Sequence, residues 1–249
     1  MGTANKVIAE MMAMRDDKQR EGLMRFFKTG AGQYGEGDEF LGIKVPQVRD
    51  VVKRHPDVPI DEIPALLTST RHEIRLCGLL LMVAQFERLA TKRLANDKEA
   101  ILKRDEIVSM YLQYAQQANN WDLVDLSAPK IIGHWLMLPS HINDKQKIMD
   151  RLAHSSCLWE QRISMVCTWK TLQLGDTSWC LRYAKIHLHH HHDLMHKAVG
   201  WMLREMGKRV SMDLLRDFLR RHAHEMPRTA LRYAIEKMDD RERQEWMRA

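Results

Sequence analysis

Apolar residues recur at spacings of three and four along almost the whole chain, as in "EIRLCGLLLMVAQFERL" (73–89) and "HKAVGWMLREMGKRV" (196–210). That spacing puts them on one face of a helix, whereas a half-buried strand would alternate strictly, and sustained alternation is hard to find. Glycine and proline together number only 19 of 249 residues. Pro46, Pro59, Pro64, Pro129, Pro139 and Pro227 fall where they would start or separate helices. The pattern predicts an all-α protein. The single long interruption is residues 28–47, "KTGAGQYGEGDEFLGIKVPQ", with five glycines. It follows N-terminal helices within 1–27. No GKS or GKT follows the glycines, so it is not a phosphate-binding loop; it reads as a connection between helices or as a lid over a substrate.

The helices repeat. "RHEIRLCGLLLM" (71–82), "LWEQRISMVCTW" (158–169), "LMHKAVGWMLRE" (194–205) and "MPRTALRYAIEKM" (226–238) each begin polar, carry a cation near the start and continue as small and apolar residues. Arg162 and Lys197 are 35 residues apart, Lys197 and Arg232 another 35, and Arg75 and Arg162 87. Periods of this size characterise solenoids of helix pairs, in which each pair buries its apolar face against the next. The expectation is one repeat domain over 1–249, curved, with Arg75, Arg162, Lys197 and Arg232 on its inner face.

Hydrophobic residues at 45% and charged residues at 29% are ordinary for a globular protein. No apolar run approaches the roughly 18 residues that cross a bilayer. The N-terminal stretch is charged where a signal peptide needs an apolar core, and the sixth position lacks the Ser or Thr of a myristoylation signal. Cys77, Cys157, Cys167 and Cys180 include no CxxC and read as reduced thiols. A cytoplasmic monomer without membrane association is expected. Charge changes the picture further. The net +6 is uneven, because residues 1–125 carry 18 Lys/Arg against 19 Asp/Glu, and residues 126–249 carry 21 against 14. The basic excess of the second half points first to nucleic acid as partner.

Among candidate chemistries, the run "HLHHHHDLMHK" places His187, His189, His190, His191, His192 and His196 within ten residues. It lacks HExxH and a convincing third ligand, so it reads as an exposed segment leading into a helix, and no metal is expected. "NNWDLVDLSAPK" (119–130) is more informative. Trp121 and Asp125 stand one helical turn apart on one face, as do Lys197 and Trp201. Cations hold phosphates, indoles offer π-faces, and a carboxylate stabilises an oxocarbenium-like sugar and orients water. Those parts suit cleavage of an N-glycosidic bond in DNA. A packed core tryptophan beside a capping acid is the plain alternative.

"NNWDLVDLSAPKIIG", "LWEQRISMVCTW" and "LMHKAVGWMLREMGKR" resemble three signature helices of the AlkD-type DNA alkylation-repair glycosylases, and "FLGIKVPQVRDVVKR" resembles that family's G-[IV]-x-x-P-x-x-R segment. The resemblance runs from about residue 20 to residue 240 in the family's order. It implies a curved stack of HEAT-like helical repeats that binds duplex DNA in a basic channel. It implies excision of alkylated purines such as N3-methyladenine and N7-methylguanine, without metal or organic cofactor and with the lesion left stacked. Carried over, Trp121 and Trp201 are the two active-site tryptophans, Asp125 the catalytic carboxylate and Arg162 a DNA-contacting arginine. Phe26, in "MRFFK", stands where the pattern has a DNA-proximal tyrosine, and the glycine-rich stretch is longer than in the pattern. A non-catalytic HEAT-like module recognising DNA shape or damage, and a protein–protein scaffold, are the other classes the sequence allows.

Overall fold

The computed structural model of the chain describes residues 2–248, and among these the secondary structure is helical apart from one isolated bridge between Glu39 and Arg71. The helices fall into two compact units. One comprises residues 1–131 with 138–142, the other 132–137 with 143–249.

The first unit contains α1 (Thr3–Ala13), α2 (Asp17–Phe26), α3 (Val45–Arg54), the short α4 (Pro64–Leu67), α5 (His72–Leu89), α6 (Lys98–Gln113) and α7 (Trp121–Ser127). Its centre is α5, which packs against α3, α4, α6 and α7. A helix surrounded on all sides must be apolar all round, and buried residues occur on every face of α5 from His72 to Phe86. The starts of the surrounding helices are written locally. Asp16 and Asp97 accept the backbone N–H of Gln19 and Ala100 at 3.0 and 2.8 Å, and Pro46 lies in the first turn of α3. At and just beyond the end of α5, the buried Arg104 guanidinium donates to the carbonyls of Leu89, Leu94 and Ala95.

The second unit contains the one-turn α8 (His134–Leu136), α9 (Lys145–Ala153), α10 (Leu158–Val166), α11 (Thr168–Gln173), α12 (Ser178–Ile186), α13 (Asp193–Arg209), α14 (Met212–His222), α15 (Arg228–Ala234) and α16 (Asp240–Arg248). Here α13 takes the central place, in contact with α10, α11, α12, α14 and α15. Its closest approach is to α15. A Cβ built on Gly200 would lie 2.3 Å from the Ala230 carbonyl oxygen and 2.5 Å from Tyr233 Cβ, so only glycine lets the two backbones meet. Cys77, Cys167 and Cys180 are buried free thiols and Cys157 is a partly exposed one. No helix among the described residues is long and apolar enough to cross a membrane.

Overpacking of a tight helix contact costs about 1–3 kcal/mol. Gly200→Ala is therefore expected to lower the thermal midpoint by roughly 2–12 °C, read by circular dichroism. An unchanged midpoint would mean that α13 and α15 separate without cost.

Candidate active site on α7

Helix α7 begins where the Asn120 side chain accepts the Trp121 N–H at 2.9 Å. Trp121 and Asp125, one turn apart, are both half-buried and border the same cavity of about 430 Å³ in the first unit. Its walls are mostly rings. Trp121 lies nearly parallel to Phe27 at 5.4 Å between centroids and meets Phe26 edge-on at 5.9 Å. Phe27 stacks on Phe40 at 5.2 Å, and Phe40 stacks on His72 at 4.5 Å. Offset and edge-on pairs at these distances stabilise beyond their buried area. Phe26 is 63% exposed at the rim, unusual for so large an apolar side chain.

Behind the rings lies a buried charge network centred on the first turn of α5. His72, 1% exposed, places Nδ1 3.2 Å from Asp38 and Nε2 3.0 Å from Asp122 in the first turn of α7. Arg75 and Asn119 both donate to the other Asp38 oxygen, at 2.5 and 3.0 Å. Burial by itself would push the imidazole toward its neutral form, but its hydrogen bonds to Asp122 and Asp38 prevail and raise its pKa to about 9. For Asp38, burial favours the acid, and the His72 hydrogen bond and the Arg75 charge reverse this to hold its pKa below the ordinary value. With His72 protonated, two buried cations balance two buried carboxylates. Glu73 secures the other side of the site by accepting the backbone N–H groups of Leu41, Gly42 and Ile43 at 2.9, 2.8 and 3.1 Å. Gly42 must be glycine: its φ is +89°, and a Cβ would lie 2.1 Å from the Asp16 carbonyl oxygen. The stretch from Asp38 to Ile43, the second half of the glycine-rich segment, is thus clamped to α5 as a fixed wall of the cavity.

The DNA alkylation repair enzyme family matches residues 7–238. The chain belongs to this family. A solved structure described as a predicted DNA alkylation repair enzyme from Enterococcus faecalis superposes with a TM-score of 0.69, covering 91% of this chain and 97% of that one at 16% identity. At that identity the likeness shows a shared fold. No curated protein sequence matches the chain. Family membership assigns an enzyme role in DNA repair, with DNA as the partner, to an all-α fold of stacked helices.

In this repair enzyme the four repeat-related cations fare differently. Arg75 is only 2% exposed and is spent on Asp38 and the Ser69 carbonyl at 2.7 Å. Arg162 is 5% exposed and donates to the Leu194 carbonyl at 2.6 Å, joining α10 to the start of α13. Both guanidinium groups are thus held inside the protein by hydrogen bonds to its own oxygens. Each is drawn inward because buried carboxylate and carbonyl oxygens need a donor of that reach. Lys197, which also pairs with Asp193 at 2.7 Å, and the exposed Arg232 instead border a shallow groove between α13 and α15. Trp201 is half-buried on α13, in the second unit.

The histidine run is not simply exposed, as the sequence suggested. His187, 3% exposed, shares a 2.8 Å hydrogen bond with Ser164, and His190 one of 2.8 Å with Gln161. His192 accepts the Leu194 N–H at the start of α13, and His196 bonds the His190 carbonyl. Burial first, then neighbouring imidazoles, lowers the pKa of both His187 and His190 to about 4. No group of three His, Cys, Asp or Glu among the described residues is placed to hold a metal ion.

Sequence reasoning passed over Asp38, His72, Glu73, Phe27 and Phe40. The available signal was "RHEIR", four ionisable groups at the head of a helix otherwise apolar on every side.

Because the fold favours charged His72, its stabilisation is complete below the ordinary histidine pKa near 6.5 and is lost as pH rises through about 9. Stability is expected to fall by on the order of 3 kcal/mol across that window. His72→Gln should be less stable at pH 6 and lack the slope, as read from denaturant unfolding at each pH. A wild-type slope retained in the variant would sink this assignment.

Proposed function

We propose that the protein is a DNA glycosylase that hydrolyses the N-glycosidic bond of cationic alkylated purines, such as N3-methyladenine and N7-methylguanine, in duplex DNA. The observation that carries this reading is the meeting of Trp121 and Asp125 on one cavity wall, on a short helix pinned from behind by His72. The family match supports the repair context but is silent on the bond cleaved.

The chemistry follows from the groups available. As the bond between C1′ and the purine nitrogen lengthens, its electron pair passes to the base and cancels the base's positive charge. The base departs neutral and needs no strong acid to protonate it. Positive charge builds on the sugar instead, where the Asp125 carboxylate stabilises it and orients a water. The water oxygen bonds to C1′, a proton is released, and an abasic deoxyribose remains. The Trp121 face packs against the sugar and excludes competing solvent. Trp201 enters the proposal through its motif alone, as a second aromatic participant. Lys197 and Arg232 are the proposed phosphate contacts, in keeping with the basic excess of residues 126–249. The reaction requires no metal or organic cofactor.

The deciding experiment is release of free base from duplex DNA treated with a methylating agent. Wild-type protein is expected to liberate methylated purines, and Asp125→Asn to slow release by about 10²-fold while DNA binding persists. Trp201→Ala releasing base at the wild-type rate would remove that residue from the proposal. Folded protein that binds DNA but releases nothing would overturn the enzyme reading in favour of a binding module. Lys197→Ala and Arg232→Ala are each expected to flatten the salt dependence of DNA affinity by about 0.9 in log–log slope. An unaltered slope would exclude them as phosphate contacts.

A further inference from the structure

We propose that the connection between α12 and α13 is a proton-operated latch, in which uptake of a proton by His190 or His192 releases the first turn of α13.

The hydrogen bonds fix which ring nitrogens carry protons. Gln161 on α10 donates its amide N–H to the Ser155 carbonyl at 2.8 Å, which turns its Oε1 toward His190 Nε2, also at 2.8 Å. That oxygen can only accept, so His190 bears its proton on Nε2 and keeps a lone pair on Nδ1. The lone pair accepts the His192 N–H at 3.0 Å. His192 Nδ1 in turn accepts the Leu194 N–H at 3.1 Å, one of the donors that a helix start leaves open. Two neutral imidazoles thus hold the places that Asn or Asp side chains usually take in bonding a backbone N–H two residues on. An added proton on either ring removes the acceptor and sets one N–H against another. His187 is built differently. Ser164 gives its hydroxyl proton to the Gln161 carbonyl at 2.6 Å and accepts from His187 Nε2, a bond that a second proton on the ring leaves intact.

The surroundings oppose charge while the latch is closed. His191 stacks on His190 at 4.7 Å, and His187, His192 and His196 are its other charged or chargeable neighbours. Facing His192 are His191, His196, Arg162 of α10 and Asp193, and burial with His191 outweighs the pull of Asp193. Both rings are therefore held below the ordinary histidine pKa. From the other elements packed here, His154 at the end of α9 bears on His187, Thr229 of α15 bonds Asp193, and Glu225 before α15 pairs with His189 and His222. Opening returns the two rings to water, where they charge more readily, so acid favours the open form. The bonds of Arg162 to the Leu194 carbonyl and of His196 to the His190 carbonyl adjoin the latch and are strained by its release. Helix α13 also carries Lys197 and Trp201, so the latch acts on the helix that presents them, independently of the bond the enzyme cleaves.

Hydrogen–deuterium exchange of the whole protein, corrected for the intrinsic effect of pH, reads the latch residue by residue. Between pH 7 and pH 5 the amides of His192, Leu194 and Met195 are expected to lose protection by roughly tenfold or more, while those of α5 keep theirs. His190→Asn combined with His192→Asn supplies non-titrating acceptors of the same reach and is expected to hold protection at both pH values. Protection retained by the wild type at pH 5 would overturn the latch, as would an equal loss in α5, which is global unfolding. The same loss in the paired variant would take the effect away from these two rings. Imidazole ¹⁵N shifts of the wild type give a reading that needs no substitution. Protonation of His190 or His192 is expected at the pH where protection disappears, and a charged ring with protection intact would overturn the proposal.

Discussion

The hydrogen bonds that hold His72 between Asp38 and Asp122 set the position of nearly every group of interest in the first unit. They join the head of the central helix to the glycine-rich segment on one side and to α7 on the other. A buried carboxylate without a partner costs several kcal/mol, so the two acids and two cations persist only as a set. Once the set is formed, α7 has little freedom, and Trp121 and Asp125 inherit its rigidity. The same imidazole continues the stack of Phe27 and Phe40, so one side chain serves both the electrostatic frame and the aromatic wall.

Helices α5 and α10 show how a chain this basic directs its cations. Arg75 and Arg162 stand at corresponding places in the repeat, and both are drawn inside, one to a carboxylate and both to backbone carbonyls. Arginine suits that task because its planar fork can serve several oxygens while remaining charged. Lys197, paired with Asp193, and Arg232 instead stay at the border of the groove between α13 and α15 in the second unit. A repeat in sequence therefore marks equivalent positions without fixing equivalent roles, since burial depends on what each position meets.

Much of the fold could be read before any coordinates. The spacing of apolar residues gave helices, the prolines marked several of their starts, and the i, i+4 relation of Trp121 and Asp125 put both on one edge. The glycine-rich segment was visible as an interruption, though only packing distinguished a fixed wall from a lid. Its second half is held by Glu73, a residue about 30 positions away whose ordinary place in a helical pattern gave no hint of three backbone partners.

What the sequence determined by itself is therefore local: helix periodicity, caps, the alignment of neighbours one turn apart, and the distribution of charge along the chain. These are set within a few residues, where covalent geometry and hydrogen-bond spacing leave little choice. Only the tertiary structure decided that Asp38, His72 and Asp122, separated by 34 and 50 positions, share a proton-rich buried joint, and that Phe26, Phe27 and Phe40 close a cavity with Trp121. The reason is physical. A side chain's charge state, burial and chemical use depend on its neighbours in space, and in a stack of helices those neighbours come from distant turns of the chain.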